Sequence, residues 1–294
     1  MSNKAALVNT SIVATVYNCG RVLERFVELT YQVLKRRGQN FEIILVDDFS
    51  SDDSRLVAES LKKKYAEVRP FYLPHHIGQH AALFYGFCKS RGGQVVSIDS
   101  DMRDNPEDIL PILECLESGF DLVHTRRFRP GHKKIDYSRQ VIVHGLLFWP
   151  GRIAFHPGFG TFKGMNRYVV NEIISRKPRF FLIEEFLSGI DAEEAWLEIE
   201  KFIDKERESQ YSIFILFWFG IKIFSWFSYV PAILFYFSLV ALPLFLYSER
   251  PVLVAVSALT MVLALFFLRL RKGQAANRLI DEEIFKECAN RVEL

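Results

Sequence analysis

Two runs towards the C-terminal end of this 294-residue chain carry no charged side chain, residues 223–248 and residues 252–268. Only Glu249-Arg250-Pro251 separates them. A bilayer core takes about 20 apolar residues per helix, with about 17 as the lower limit. A helix in a soluble core would normally keep a polar stripe towards water. The runs therefore predict a two-helix transmembrane hairpin over residues 228–270. Pro231 and Pro243 inside the first run fit this reading, because membrane helices tolerate proline better than soluble ones. Arg269-Leu270-Arg271-Lys272 ends the second run, whereas the turn offers only Arg250. The positive-inside bias then places both termini in the cytosol of a multi-pass protein of the inner or cell membrane. Before the hairpin, apolar residues 213–226 are interrupted only by Lys222. They predict a juxtamembrane amphipathic helix over 212–227, with Lys222 reaching to headgroups. Residues 271–294 are expected to form a cytosolic tail, in which 279–285 is a candidate contact between subunits of a homo-oligomer.

Residues 1–211 read differently. Short β-rich runs at 11–17, 41–47, 68–73 and 94–99 alternate with segments near 20–37, 52–65 and 78–89, where apolar residues recur at three- and four-residue spacing. Strand–helix–strand repetition predicts an α/β domain with a mostly parallel, doubly wound sheet. Ligands in such sheets bind beyond the carboxyl ends of the strands. Here those ends lead into the loops 17–20, 47–53 and 99–106, two of them rich in Asp. A net charge of +2 does not suit a nucleic-acid binder. The cysteines Cys19, Cys88, Cys115 and Cys288 have neither metal-ligand spacing nor a dense disulfide pattern, and a reduced, cytosolic setting is expected. The N-terminus lacks a secretory apolar region and cleavage site.

Each loop has a plain use and a chemical one. In Val46-Asp47-Asp48-Phe49-Ser50, a carboxylate at a strand end could accept from nucleobase N–H groups, while Asp47 or Ser50 could equally cap the next helix. In Asp99-Ser100-Asp101, carboxylates two apart can share one divalent cation that neutralises a diphosphate. One such triplet is weak evidence, but this one follows a strand and precedes the helix start Asn105-Pro106-Glu107. Gly78 and Gly86 bracket a helix whose start could approach phosphate. His75, His76 and His80 near it lack partners at metal-ligand spacing, so a surface-exposed helix start is the reading preferred.

In order and spacing these segments resemble the family 2 glycosyltransferases of GT-A fold. Residues 11–18 are similar to the opening strand that usually ends Pro-x-Tyr-Asn-Glu. Residues 42–54 are similar to the Val-Asp-Asp-Gly-Ser segment. His76-Ile77-Gly78-Gln79-His80-Ala81-Ala82-Leu83 with Gly86 resembles Asn-x-Gly-x-x-x-Ala-x-x-x-Gly, and residues 99–106 resemble Asp-x-Asp-Leu-Gln-x-Pro-Pro. Within the family the likeness is to polyprenyl-phosphate transferases, namely dolichyl-phosphate mannose synthase and the bacterial undecaprenyl-phosphate glucosyl- and aminoarabinosyl-transferases. Residues 160–167 and 206–212 resemble two further segments of theirs, and the likeness runs from residue 10 to about 270. Thr15 stands where the family has Pro, Cys19 where it has Glu, and Arg103 where it has a metal-binding Gln. No Gln-x-x-Arg-Trp follows, which speaks against a processive polysaccharide synthase.

The resemblance implies inverting transfer of one sugar from a UDP- or GDP-linked donor to undecaprenyl or dolichyl phosphate at the cytosolic membrane face. The product would be a lipid-linked sugar donor for cell-envelope glycan or glycoprotein synthesis. It implies catalytic roles for Asp99, Asp101 and Arg103, with Mg²⁺ or Mn²⁺ on Asp99 and Asp101. Arg103 cannot bind a cation but can pair with phosphate. Thr15, Tyr17, Val46, Asp48, Asp99 and Ser100 would meet the nucleotide sugar. Arg126 and Arg127, then Arg129, Lys133 and Ser138, would meet the acceptor phosphate, or this basic cluster would serve general attraction to anionic headgroups. Two alternatives stay open: transfer to a hydroxyl of a glycolipid or lipid-linked glycan, with Asp191 or Glu184–Glu185 as base, and a non-catalytic membrane scaffold of the same fold.

Overall fold

A computed structural model of the chain describes residues 8–128, 160–176, 183, 187, 189–200, 230–247 and 251–276. The described residues up to 200 belong to one compact unit and those from 230 to another.

In the first unit β1 (Thr10–Val16), β2 (Phe41–Asp47), β3 (Val68–Tyr72) and β4 (Gln94–Asp99) alternate with α1 (Gly20–Arg37), α2 (Ser54–Lys64) and α3 (Gln79–Lys89). These bounds follow the sequence periodicity closely. A 3₁₀ turn, Pro106–Asp108, then opens α4 (Ile109–Glu117). The start is fixed by the Asn105 side chain, which accepts from the Glu107 N–H at 3.2 Å, with Pro106 in the first turn. Then come β5 (Leu122–Phe128), β6 (Lys163–Asn166), α5 (Arg167–Ser175) and β7 (Glu194–Glu200). The strand order is β3-β2-β1-β4-β6-β5-β7. All pairings are parallel except those of β6, which runs antiparallel to both β4 and β5. The sheet is thus mixed but mostly parallel, as expected of the fold class.

Side chains of β1 alternate between two apolar layers. Ile12, Ala14 and Val16 join one with Leu23 and Phe26 of α1 and Ile112 of α4, while Val13 joins the other with Phe84 and Phe87 of α3 and Val170 of α5. Helix α1 ends at Gly38, whose φ of 68° lets its N–H return to the Lys35 carbonyl at 3.1 Å. At Gly86 a Cβ would lie 2.3 Å from Val13 Cγ1, so glycine is what lets α3 lie flat on β1. Cys19 and Cys115 are free thiols, whereas Cys88 is disulfide-bonded. That departs from the expectation of reduced cysteines throughout.

The second unit holds α6 (Val230–Tyr247) and α7 (Pro251–Ala276). Their pattern is inside-out: Tyr236, Phe237 and Val240 of α6 and Val252, Leu259 and Val262 of α7 are exposed. Small residues lie between the helices, with Ser238, Ala241, Ser257 and Ala264 buried. Ser238 and Thr260 hydroxyls meet at 2.7 Å. Small residues and paired hydroxyls at a helix contact, with large apolar groups outside, suit a lipid surrounding. Among the described residues one helix is long and apolar enough to cross a membrane, Val252–Arg269 with mean hydropathy 2.4. Helix α6 contributes a shorter apolar stretch, Ala232–Leu242, so the second span of the expected hairpin does not reach that measure. The expected interface helix at 212–227 and the 279–285 contact lie outside the described residues.

Candidate active site

Parallel register brings three of the expected residues side by side. Thr15 pairs with Val46 on one side and with Asp99 on the other, so the loops after β1, β2 and β4 open side by side at the carboxyl ends of these strands. Each loop turns through a left-handed residue that is not glycine: Asn18 (φ 49°), Phe49 (φ 63°) and Met102 (φ 59°). Such conformations cost about 1–3 kcal/mol each and concentrate at functional sites. Phe49 stands where the related segment has Gly, and its side chain gains little, being half exposed. Met102 is fully buried in the core on the α1 side. It anchors its turn and leaves Asp101 and Arg103 on either side of it.

Those two meet. Arg103 Nε lies 2.8 Å from Asp101 Oδ2, and its Nη2 lies 3.4 Å from Asp99 Oδ2. Burial draws the guanidinium down from its ordinary value, but Asp99 and Asp101 outweigh that and hold it above. The other oxygen of Asp99 accepts from Gln79 Nε2 and, at 2.7 Å, from Thr161 Oγ1. Asp99 is therefore aimed from three elements. Both Oδ2 atoms converge on one guanidinium, so they can converge on one divalent cation. Among the described residues no group of three or more His, Cys, Asp or Glu is arranged to hold a metal. A cation here would take its remaining ligands from a diphosphate and water, the habit of Mg²⁺.

Ser100 faces inward: its hydroxyl donates to the Thr15 carbonyl at 2.6 Å and meets Cys19 Sγ at 3.2 Å. Burial pushes the Cys19 thiol up to about 11. Asp48 is buried, and its two oxygens accept from the Ile77 and Gly78 N–H groups at 2.7 and 2.9 Å. His76 Nδ1 lies 2.9 Å from Asp48 Oδ2, and the His76 ring packs at a 32° tilt, 4.6 Å between centroids, against Tyr17, whose ring is exposed. Burial raises the Asp48 carboxyl despite these donors. Asp48 thus fastens the β2 loop to the start of α3 beside an exposed aromatic pair. Neither Asp47 nor Ser50 caps α2. Ser50 accepts from Asn18 N–H at 3.0 Å, while Asp52 accepts from Gly20 and Ser54 N–H groups. The histidines do not form a metal site among the described residues. His80 is no bare surface residue: its Nδ1 accepts from Ile183 N–H at 3.1 Å, and burial lowers it to about 4.

The expected acceptor residues are divided. Arg126 and Arg127 lie within β5 rather than after it, because β7 pairs with this strand as far as Phe128. Successive strand residues face opposite ways. Arg126 lies 3.9 Å from Glu198 and over the Trp196 ring, whereas Arg127 donates to Asp104 in the loop beyond Asp101. Burial pushes the Asp104 carboxyl up to about 7, with Arg127 opposing and Asp99 adding to the rise. Arg129, Lys133, Ser138 and Glu184–Glu185 lie outside the described residues. Asp191 is exposed. Sequence reasoning missed Gln79, Thr161, His76 and Asp104 as site residues, although all four lie in or beside the segments already singled out.

Comparison with known proteins agrees with this geometry. The family model described as glycosyl transferase family 2 matches residues 11–174. Over 128 residues the chain is 35% identical to undecaprenyl-phosphate 4-deoxy-4-formamido-L-arabinose transferase of Proteus mirabilis, covering 43% of this chain and 39% of that one. Over 120 residues it is 37% identical to the protein of the same name from Pseudomonas savastanoi, covering 40% and 35%. The chain thus matches about two-fifths of the length of these relatives. Among solved structures, it superposes on glucosyl-3-phosphoglycerate synthase from Mycobacterium tuberculosis, in complex with Mn²⁺ and UDP-glucose, with TM-score 0.53. Identity there is 17%, with 74% of this chain and 77% of that one covered. Mannosyl-3-phosphoglycerate synthase from Rubrobacter xylanophilus gives 0.51 at 16% identity, covering 73% and 71%. At such identities the likeness is one of fold.

Proposed function

Because the chain belongs to glycosyl transferase family 2, we propose that it moves one sugar, with inversion, from a UDP- or GDP-linked donor to a polyprenyl phosphate at the cytosolic membrane face. The observation that carries this reading is the convergence of Asp99 and Asp101 on Arg103 at the end of β4. In this reading residues 1–211 are the catalytic domain, 212–227 the interface helix, 228–270 the two-span hairpin and 271–294 a cytosolic tail. The relatives named for undecaprenyl phosphate support that acceptor class, and the inside-out surface of α6 and α7 supports a membrane setting.

The chemistry asks little of a base. A lipid phosphate is anionic at neutral pH, so its oxygen attacks the anomeric carbon directly while the bond to the nucleotide diphosphate breaks and both electrons leave with the diphosphate. The protein must align attacker and leaving group and stabilise the charge that develops. Tyr17 and the aromatic partner His76 offer a face to the base, beside the Asp48 loop. Asp99 and Asp101 would hold Mg²⁺ or Mn²⁺, which when bound neutralises the diphosphate. Arg103, displaced from the two carboxylates, keeps a guanidinium within reach of the same phosphates. Arg127 receives the acceptor phosphate.

The test is purified full-length protein with a short-chain polyprenyl phosphate and a panel of labelled nucleotide sugars. An acid-labile monoglycosyl phosphate lipid is expected. A product linked through a hydroxyl, stable to mild acid, would replace this reading with the glycolipid acceptor. The placement of Arg103 on Asp99 and Asp101 favours one other reading, a non-catalytic scaffold whose cation site is filled by its own side chain. Failure of every nucleotide to raise the melting temperature would support that reading instead.

A further inference from the structure

Asp104 is an expensive residue for the fold. Its side chain has no exposure, its Oδ2 accepts from Arg127 Nη2, and its Oδ1 is buried with no hydrogen-bond partner among the described residues. A buried carboxylate with an unpaired oxygen loses solvation that one donor does not return. Replacing buried ion pairs with well-packed neutral groups is often neutral or stabilising. Stability therefore does not account for this pair, whereas the direction of Arg127 does.

Arg127 lies one residue before the end of β5, and its side chain is about a quarter exposed. Strand alternation turns it away from Arg126, and its one partner among the described residues is Asp104. Asp104 stands in the loop that carries Asp101 and Arg103, close enough for the charges of Asp99 and Arg103 to act on it. A guanidinium has five N–H donors in a planar fork. With one of them on Asp104, the fork is fixed at its inner end and still has donors for a two-point contact with an anion. A flexible arginine would have to lose its side-chain freedom on binding, and a tethered one has already lost much of it.

The geometry points to Asp104 as the positioning residue that sets Arg127 to receive the anionic phosphate of the acceptor, next to the Asp99–Asp101 loop. This rests on the reading of Arg127 as an acceptor-phosphate ligand. It assigns Asp104 no contact with either substrate.

The experiment uses the full-length protein and Asp104→Asn, which keeps shape and loses charge. The expected result is at least a tenfold rise in KM for a short-chain polyprenyl phosphate, with the nucleotide-sugar KM within twofold and no fall in melting temperature. In an Arg127→Ala background, Asp104→Asn should add nothing further to the acceptor KM. Asp104→Leu carries the same test if the amide variant does not fold. An unchanged acceptor KM, or effects of the two substitutions that simply add, would overturn the inference.

A second readout needs no turnover: the rate at which phenylglyoxal labels Arg127, followed by peptide mass. In the parent protein, short-chain polyprenyl phosphate should slow labelling; in Asp104→Asn, labelling should be faster and the lipid should no longer protect. Protection in a parent protein that makes no glycosyl phosphate would remove the proposed function and leave this inference standing. Transfer without protection, and with the same labelling rate in Asp104→Asn, would do the reverse.

Discussion

Arg103 Nε lies 2.8 Å from Asp101 Oδ2, an ion pair within a turn anchored by the buried Met102. The carboxylate therefore already faces positive charge, and in the proposed reaction a cation would take that place. Asp101→Asn keeps the shape and removes that charge, and turnover should fall about a hundredfold, equivalent to roughly 3 kcal/mol of lost stabilisation at the leaving group. Initial rates at saturating donor, with Mg²⁺ and then Mn²⁺, check this. Turnover near that of the parent protein would remove Asp101 from the reaction.

In the proposed reaction the same guanidinium would supply part of the neutralisation that a cation would otherwise provide alone. Activity should therefore outlast moderate chelation. Arg103→Gln restores the residue usual in related segments. It should be less active without added metal and respond more steeply to Mn²⁺. Superimposable metal titrations for the two proteins would show that Arg103 has no part in handling the diphosphate.

Phe49→Gly tests the backbone of the β2 loop. At φ 63° a side chain strains the turn, and this one is half exposed. The substitution should raise stability by up to about 1 kcal/mol, since a glycine is relieved of that strain but gains freedom when unfolded. Thermal melting decides it. A drop would mean that the Phe49 ring contributes more by packing than its turn costs.

Gly86→Ala should act in the opposite direction. The added methyl would collide with Val13 Cγ1 and press on Val46 Cγ2. Overpacking of this kind typically costs about 1–3 kcal/mol. Because α3 begins with Gln79, which donates to Asp99, the displaced helix should also lower turnover. Denaturant unfolding combined with a rate measurement reads both, and an unchanged midpoint would show that α3 can shift without loss.

His80 gives a pH dependence. Its folded value, about 4, lies below the ordinary value of 6.5 because burial disfavours the cation. The unfolded chain then takes up the proton first. The stabilisation from the neutral ring is full above about pH 6.5 and is lost as pH falls towards 4. His80→Asn, which keeps an acceptor for the Ile183 N–H, should flatten the melting-temperature profile across that window. Parallel profiles for the two proteins would place the acid sensitivity elsewhere.

The first half of the fold was legible because its strands are long, buried and regularly spaced by amphipathic helices. Strand β6 has four residues and runs against its neighbours, so no hydrophobic period marked it or predicted that β5 and β7 would extend the sheet. Asp99 and Asp101 were legible from their place at a strand end. Ser100 was not, because a hydroxyl between two site carboxylates gives no sign that it turns inward to the Thr15 carbonyl. Period-two alternation could have parted Arg126 from Arg127 once both were placed inside a strand. The partnership of Arg127 with Asp104 could not be read, since it joins residues 23 apart through the packing of a loop on a strand end.

Met102 has one more consequence. Its backbone is left-handed and its side chain is sealed in the core. Swinging the turn between Asp101 and Arg103 outward would draw that side chain into water at a cost of roughly 2 kcal/mol. A turn with that opening cost would stand open only about a few per cent of the time. In the proposed reaction a spent nucleotide diphosphate held by this turn would loosen first at the base end, where the Tyr17 and His76 rings are open to solvent.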